Sequence, residues 1–351
     1  MNAVMVANRH SNSLWTQVLE RFRSDKTGMS SLLIVTLFFL LVVCAQFGWV
    51  GSDWQEEVGQ PFAPPHIVGA KANVSAQQEA QAPVRVLDIQ DVDPLAPYYD
   101  KWQAKASGVT VHNQVKQDTL PWGGDRIGRD VLKKAIKGAQ ISILVGLSAA
   151  LMATLIGTVL GAVGGYFGGA VDDALEWLYN VFNAIPYVLL IFALAAVFKS
   201  GPLAKVFSNG IMNVVVILSL VGWTGIYRLV RAEYIKHRSR DYVRAAEAIG
   251  ASHFSRLFVH ILPNVGHIIL VQLSLHVVGF IKAEVILSFL GLGVSIDMVS
   301  WGTMLSEAQT ELILGIWWQF LAATFMMAVF VTAFALFTDA LRDALDPKLK
   351  R

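Results

Sequence analysis

The sequence predicts an all-α polytopic membrane protein with six transmembrane helices, and three observations predict it. Of 351 residues, 54% are apolar and only 15% are charged, with a mean hydropathy of +0.51, against roughly 25% charged in soluble domains. Six stretches contain no Asp, Glu, Lys or Arg: 27–52, 138–171, 177–198, 206–227, 257–281 and 312–338. Each is long enough for the roughly 20 residues with which a helix crosses about 30 Å of hydrocarbon. None alternates in polarity or is as short as the roughly 10-residue strand of a membrane barrel, so the backbone must pair within helices.

The chain opens on a segment, 1–28, that carries Arg9, Arg21, Arg23 and Lys26. The first span, 29–50, lies in a charge-free run of 26 residues. Signal-peptide cores are about 7–15 residues, so a retained helix is expected there, not a cleaved leader. It holds the single cysteine, Cys44, which excludes an internal disulfide. Residues 51–138 follow as an extracytoplasmic loop or small cap. Within 51–125 stand ten acidic and five basic residues, and Pro61, Pro64, Pro65, Pro83, Pro94, Pro97 and Pro121 argue against helical periodicity.

Five further spans are expected near 139–165, 175–198, 208–228, 265–289 and 315–338, within a five-helix core at 139–340, before a tail at 341–351. Orientation follows the excess of Lys and Arg. Arg228, Arg231, Lys236, Arg238, Arg240, Arg244 and Arg256 crowd the connection after the fourth span, and Arg342, Lys348, Lys350 and Arg351 the tail. Six spans place these and the N-terminal segment on one side, the cytoplasm. Lys133, Lys134 and Lys137 dissent and are read as an amphipathic stretch at the outer interface. A net charge of +2 gives no reason to expect nucleic acid.

Within the spans, Gly157, Gly161, Gly165 and Gly169 recur every fourth residue, extending a small-residue face from Gly146 and Ala150. Such a face lets another helix approach closely. Packing inside one subunit is the plainer reading, and a surface beside a pathway the alternative. Lys282 and Glu284 fall late in the fifth span; Lys282 is expected to snorkel, and Glu284 is a candidate for a cavity wall. His260 and His267 lack a neighbouring ligand at metal spacing, so no metal site is expected.

The most specific segment is 241–264. Asp241 is placed to cap a short helix rich in Ala245, Ala246 and Ala248. Gly250 supplies a stop, because glycine tolerates the left-handed backbone that helix ends use. Ser252 is placed to cap a second helix, ending near Pro263 before the fifth span begins. The alanines would let the first helix seat in a partner groove. Both ends run into spans, which argues against a DNA-binding helix–turn–helix.

This segment resembles the cytoplasmic signature of bacterial ATP-binding-cassette importer permeases: Glu-Ala-Ala, three residues, Gly, nine residues, then Ile-x-Leu-Pro. Ala245, Ala246, Gly250, Leu262 and Pro263 match in register, while Arg244 and His260 stand at the Glu and Ile positions. Both departures are familiar among peptide-type permeases. Asp125–Asp130 with Gly138 and Ile141–Gly146, and Glu284–Gly293 with Ser300–Gly302, Met304 and Leu305, resemble the C-type permease of oligopeptide and dipeptide systems. The likeness covers roughly 120–350 and the first span; 51–120 adds nothing to it.

The resemblance implies an importer-permease core with a cytoplasmic coupling helix. It assigns ATPase coupling to Arg240, Asp241, Arg244, Ala245, Ala246, Glu247, Gly250, Leu262 and Pro263, with Arg240 and Arg244 meeting acidic residues of the ATPase. It implies a homologous B-type permease, two ATP-binding-cassette ATPases and an extracytoplasmic solute-binding protein as partners, and peptides as substrate. Glu284 and Trp301, near the outer mouth, are the candidates for the translocation path, and Gly157, Gly161 and Gly165 for helix packing. The sequence has no Gly-x-x-x-x-Gly-Lys-Ser/Thr loop. No catalytic residue and no bound cofactor are therefore expected, ATP and Mg belonging to the partner ATPases. The alternative is a secondary transporter driven by protons or sodium, which would call for related halves and midplane carboxylates; neither is visible.

Overall fold

An apolar chain that must pair its own amides and carbonyls becomes helix, and the computed structural model is helical through most of residues 14–69, 98–106, 116–200, 210–295 and 297–345, the residues it describes. Among the described residues, five helices are long and apolar enough to span a membrane: α2 (Lys26–Gln46), α4 (Val131–Phe167), α7 (Gly210–Arg238), α9 (His253–Phe289) and α11 (Trp318–Leu345). A bent pair, α5 (Gly169–Ala184) and α6 (Tyr187–Ser200), is long and apolar enough together to make a sixth crossing if it forms one span. Shorter helices are α1 (Leu14–Ser24), α3 (Tyr99–Ala106), α8 (Asp241–Ala248) and α10 (Trp301–Ile313).

The third span, expected near 175–198, falls on this bent pair. α5 and α6 meet at 93°. Ile185, with ψ 130°, is extended, because Pro186 disfavours a helical residue before it. α5 itself starts where Gly168 and Gly169, at φ 68° and 55°, reverse the chain after α4. No α5 residue is buried within the chain.

The chain divides into two compact units, Met1–Trp54 with Leu132–Arg351, and Gln55–Val131. In the smaller unit, the described residues form isolated bridges, Glu57 with Arg129 and Gly59 with Gln117 among them. Asp125 is buried and accepts the Arg129 side chain together with the amides of Ile127 and Arg129. Helix α3 corrects the expectation of no helix in this region, since it occupies an interval between prolines. The unit ends where α4 begins, short of the expected boundary at 138.

In the larger unit, Phe38, Trp301 and Phe330 form an aromatic knot, with ring centroids 5.1–6.5 Å apart. Lys133, Lys134 and Lys137 lie in the first turns of α4, continuous with the span. Lys134, 1% exposed, pairs with Glu307 of α10 and bonds Gln319 of α11 at 3.3 Å. An enclosed polar side chain needs partners that replace water, and Glu307 and Gln319 supply them here.

The glycine face packs within the chain. A Cβ on Gly157 would stand 2.5 Å from the Trp223 carbonyl oxygen, one on Gly161 2.7 Å from that of Tyr227, and one on Gly165 2.5 Å from that of Arg231. These three let the α4 and α7 backbones touch. Gly146 instead meets Ile281 of α9, and Gly169 meets nothing within 4 Å, so the close approach of the two backbones runs from Gly157 to Gly165. Gly157→Val should cost about 2–3 kcal/mol through overpacking, read as a lower unfolding midpoint of the purified protein. Gly279→Ala, where a side chain meets nothing within 4 Å, should leave stability unchanged or raise it by about 0.5–1 kcal/mol.

Candidate functional site: the hairpin between two spans

The segment joining α7 to α9 is a hairpin built from local signals. Arg240, not the expected Asp241, holds the N-cap position of α8, with φ −74° and ψ 150° and no side-chain capping bond. Asp241 lies in the first turn, where its charge favours the positive helix end. At the other end, the amide of Gly250 donates to Glu247 and that of Ala251 to Ala246, both at 2.9 Å. This pair is the Schellman arrangement. It requires the left-handed backbone that Gly250 adopts at φ 83°.

Ser252 caps the next helix by accepting the Ser255 amide at 3.2 Å. That helix does not stop at Pro263. It continues to Phe289, correcting the expected break. Continuity is possible because Arg256–Ile261 is a π-turn in which the Leu262 amide donates to Leu257. The widened turn gives the ring of Pro263, which has no amide hydrogen to donate, room inside the helix.

Burial sorts the expected coupling residues into two groups. Val243 and Ala246 are buried in a cluster with Ala162 of α4, Ile226, Val230 and Tyr234 of α7, and Leu257, Ile261 and Val265 of α9. Ala246 therefore seats the hairpin on its own chain, not in a partner groove, which corrects its expected role. Leu262 is half-buried. Arg240, Asp241, Arg244, Ala245, Glu247, Gly250 and Pro263 are exposed.

Arg256 locks this arrangement. It is 8% exposed, pairs with Glu247 at 2.6 Å and lies 5.8 Å over the ring of Tyr166, at the end of α4. The Arg256 guanidinium also donates to Nδ1 of His253 at 3.0 Å, which the Tyr166 hydroxyl meets at 3.0 Å. Because a guanidinium only donates, that nitrogen is the acceptor. Sequence reasoning counted Arg256 only as a positive charge. It also passed over Ile249 and Phe254, 84% and 70% exposed at the hairpin tip. Their signal was present: two large apolar residues on either side of the Gly250 turn, between the two helices of the connection.

Glu284 and Trp301 do not line an opening; both are 0% exposed. Glu284 accepts hydroxyls of Ser142 and Ser288 at 2.7 Å each. Ser142 in turn accepts the Trp301 amide at 3.2 Å, while the indole donates to the Ala135 carbonyl. A carboxylate in an apolar core needs such donors, and they tie α4, α9 and α10 together. This corrects the path assignment for both. Among the described residues, no group of three His, Cys, Asp or Glu is placed to hold a metal.

Five spanning helices, or six with the bent pair, and the hairpin between two of them make this a multi-pass membrane protein. Residues 138–351 match the family described as Binding-protein-dependent transport system inner membrane component, and the chain belongs to that family, as a multi-pass inner-membrane permease and not a catalyst. It is 31% identical over 343 residues to the Dipeptide transport system permease protein DppC of Bacillus subtilis (strain 168), covering 98% of this chain and 88% of that one. It is 29% identical over 344 residues to the Oligopeptide transport system permease protein OppC of the same organism, covering 98% and 93%. To OppC of Salmonella typhimurium it is 30% identical over 340 residues, covering 96% and 92%. The family does not favour the ion-driven alternative.

Arg256→Ala should free the hairpin from α4. Amide hydrogen exchange at 243–251 should then quicken about ten-fold, the effect of about 1.4 kcal/mol of lost local stability, while α11 exchanges as before.

Proposed function

We propose that this chain is the C-type permease of a peptide importer. With a homologous B-type permease it encloses the path, receiving peptides from an extracytoplasmic solute-binding protein. Two ATPases on the cytoplasmic side bind ATP and Mg and drive the cycle. Both termini and the hairpin face the cytoplasm, the side favoured by their Lys and Arg. What carries the reading is the match of nearly the whole chain to permeases named for dipeptide and oligopeptide transport.

The hairpin supplies the docking surface. Exposed large apolar residues at the tip of a hairpin favour burial by a partner, and Ile249 and Phe254 are such residues. Arg240 and Arg244 flank them and meet acidic residues on the ATPase, steering the encounter. The partner must bind the two transport states with different affinity to shift between them. Arg256, Glu247 and Tyr166 carry that difference from the hairpin to α4.

Coexpression with the second permease and the ATPases should yield one complex that takes up radiolabelled peptide in proteoliposomes when given ATP and the binding protein. Ile249→Asp should weaken ATPase retention at least about ten-fold, as expected for an interface anchor, without loss of the folded permease. Full ATPase retention by that variant would refute the docking assignment. ATP-independent peptide accumulation by the permease alone would refute the reading as a whole.

A further inference from the structure

Helix α5 carries Asp172, Glu176, Asn180 and Asn183 at steps of four, four and three residues, which places them along one face. That face borders α7, and between the two helices lies a cavity of about 450 Å³, within the usual range of small-molecule sites, roughly 300–1,000 Å³. Asn180 and Asn183 line it from α5, and Tyr227 and Arg228 from α7. Tyr227 is 1% exposed, and its hydroxyl has no hydrogen-bond partner among the described residues. A buried, unanswered hydroxyl on a cavity wall marks a place where a polar ligand or water completes the bonding.

The charges are arranged as well. Arg231 is held by Asp172 at 2.5 and 2.7 Å and by Glu176 at 2.7 Å. Two carboxylates around one guanidinium leave that group net negative. Arg228 is exposed and has no ion pair among the described residues, so it stands as a separate positive charge. It lies ten residues before the end of α7 at Arg238, about 15 Å along the helix axis. Arg228 closes the charge-free run 206–227, at the end of the fourth span, where an exposed guanidinium is expected to stand in water. The cavity thus offers one negative group, one positive group and neutral amide and hydroxyl partners between them.

We propose that this cavity is an aqueous subsite of the translocation path that takes a zwitterionic peptide. Arg228 receives its terminal carboxylate, Glu176 its terminal ammonium, and Asn180, Asn183 and Tyr227 its main-chain amides. Amides and termini are common to all peptides, so such a site passes many sequences and leaves selection to other components. This inference rests on the peptide reading above and gives it residues.

The test uses the whole complex in proteoliposomes, with Cys44→Ala and Tyr179→Cys providing a single thiol on the cavity wall. A charged, membrane-impermeant methanethiosulfonate should modify Cys at that position. Millimolar trialanine should slow the reaction about ten-fold, the scale of one charge-assisted hydrogen-bonded pair. Its C-terminal amide should protect much less, and Arg228→Gln should abolish the difference between the two peptides. No modification, or protection that ignores both the amide and Arg228→Gln, overturns the proposal. Uptake of trialanine by the wild-type complex is measured in parallel. Uptake without protection defeats the subsite alone; failure of uptake and of protection defeats the peptide reading, and the subsite with it.

Discussion

The contact on which the rest of the structure depends is the close approach of α4 and α7. Gly157, Gly161 and Gly165 remove side chains where α7 carbonyls stand within 2.5–2.7 Å of where a Cβ would be. Apolar side chains gain nothing by leaving lipid for each other, so helix association in a membrane rests on such dispersion contacts and on polar bonds. With the two backbones in register, Ala162, Ile226, Val230 and Tyr234 form one end of a cluster that receives Val243 and Ala246 of the hairpin. The same pairing sets the wall of the α5–α7 cavity, because Tyr227 belongs to both surfaces.

From that pair, force has a material route. The tip of the hairpin offers Ile249 and Phe254 to a partner, while Arg256 ties its base to Glu247 and to the Tyr166 ring at the end of α4. The hairpin is thus short, fixed at its tip by the Gly250 turn and the Ser252 cap, and bonded to two spans. A rigid lever of this kind passes a displacement on, where a slack loop would absorb it. At the opposite end, Glu284 with Ser142 and Ser288, and Lys134 with Glu307 and Gln319, bind α4 to α9, α10 and α11. Polar groups enclosed in an apolar core define one arrangement, since any slip leaves them unpaired.

Much of this was legible in the sequence, for physical reasons that also explain what was not. Charge-free runs report lipid-compatible length directly, so the five spanning helices and the bent pair could all be located. Gly250 and Ser252 act through their own backbone neighbours, and the turn between them could be read. The bend at Pro186 was present in the sequence, but a hydropathy run carries no information on direction. The uninterrupted passage through Pro263 depends on a π-turn, which no simple periodicity reveals. Lys134 reads as an exposed lysine because its partners, Glu307 and Gln319, are distant in sequence. Glu284 reads as a cavity residue for the same reason: its hydroxyl donors come from different segments. The polar face of α5 was readable at helical spacing, yet it straddles the start of a charge-free run and was divided by it.

The central claim is that the hairpin, α4 and α7 move as one body when the ATPases close. Spin labels at Leu155, exposed on α4, and Ala248, exposed on α8, in a Cys44→Ala background, report their separation by double electron–electron resonance in the assembled importer. The account predicts that the distance stays within about 2 Å between nucleotide-free and ATP-trapped states, the scale of small packing adjustments. A change of about 5 Å or more, one helical turn of sliding, would show that the hairpin moves independently of α4 and would contradict it.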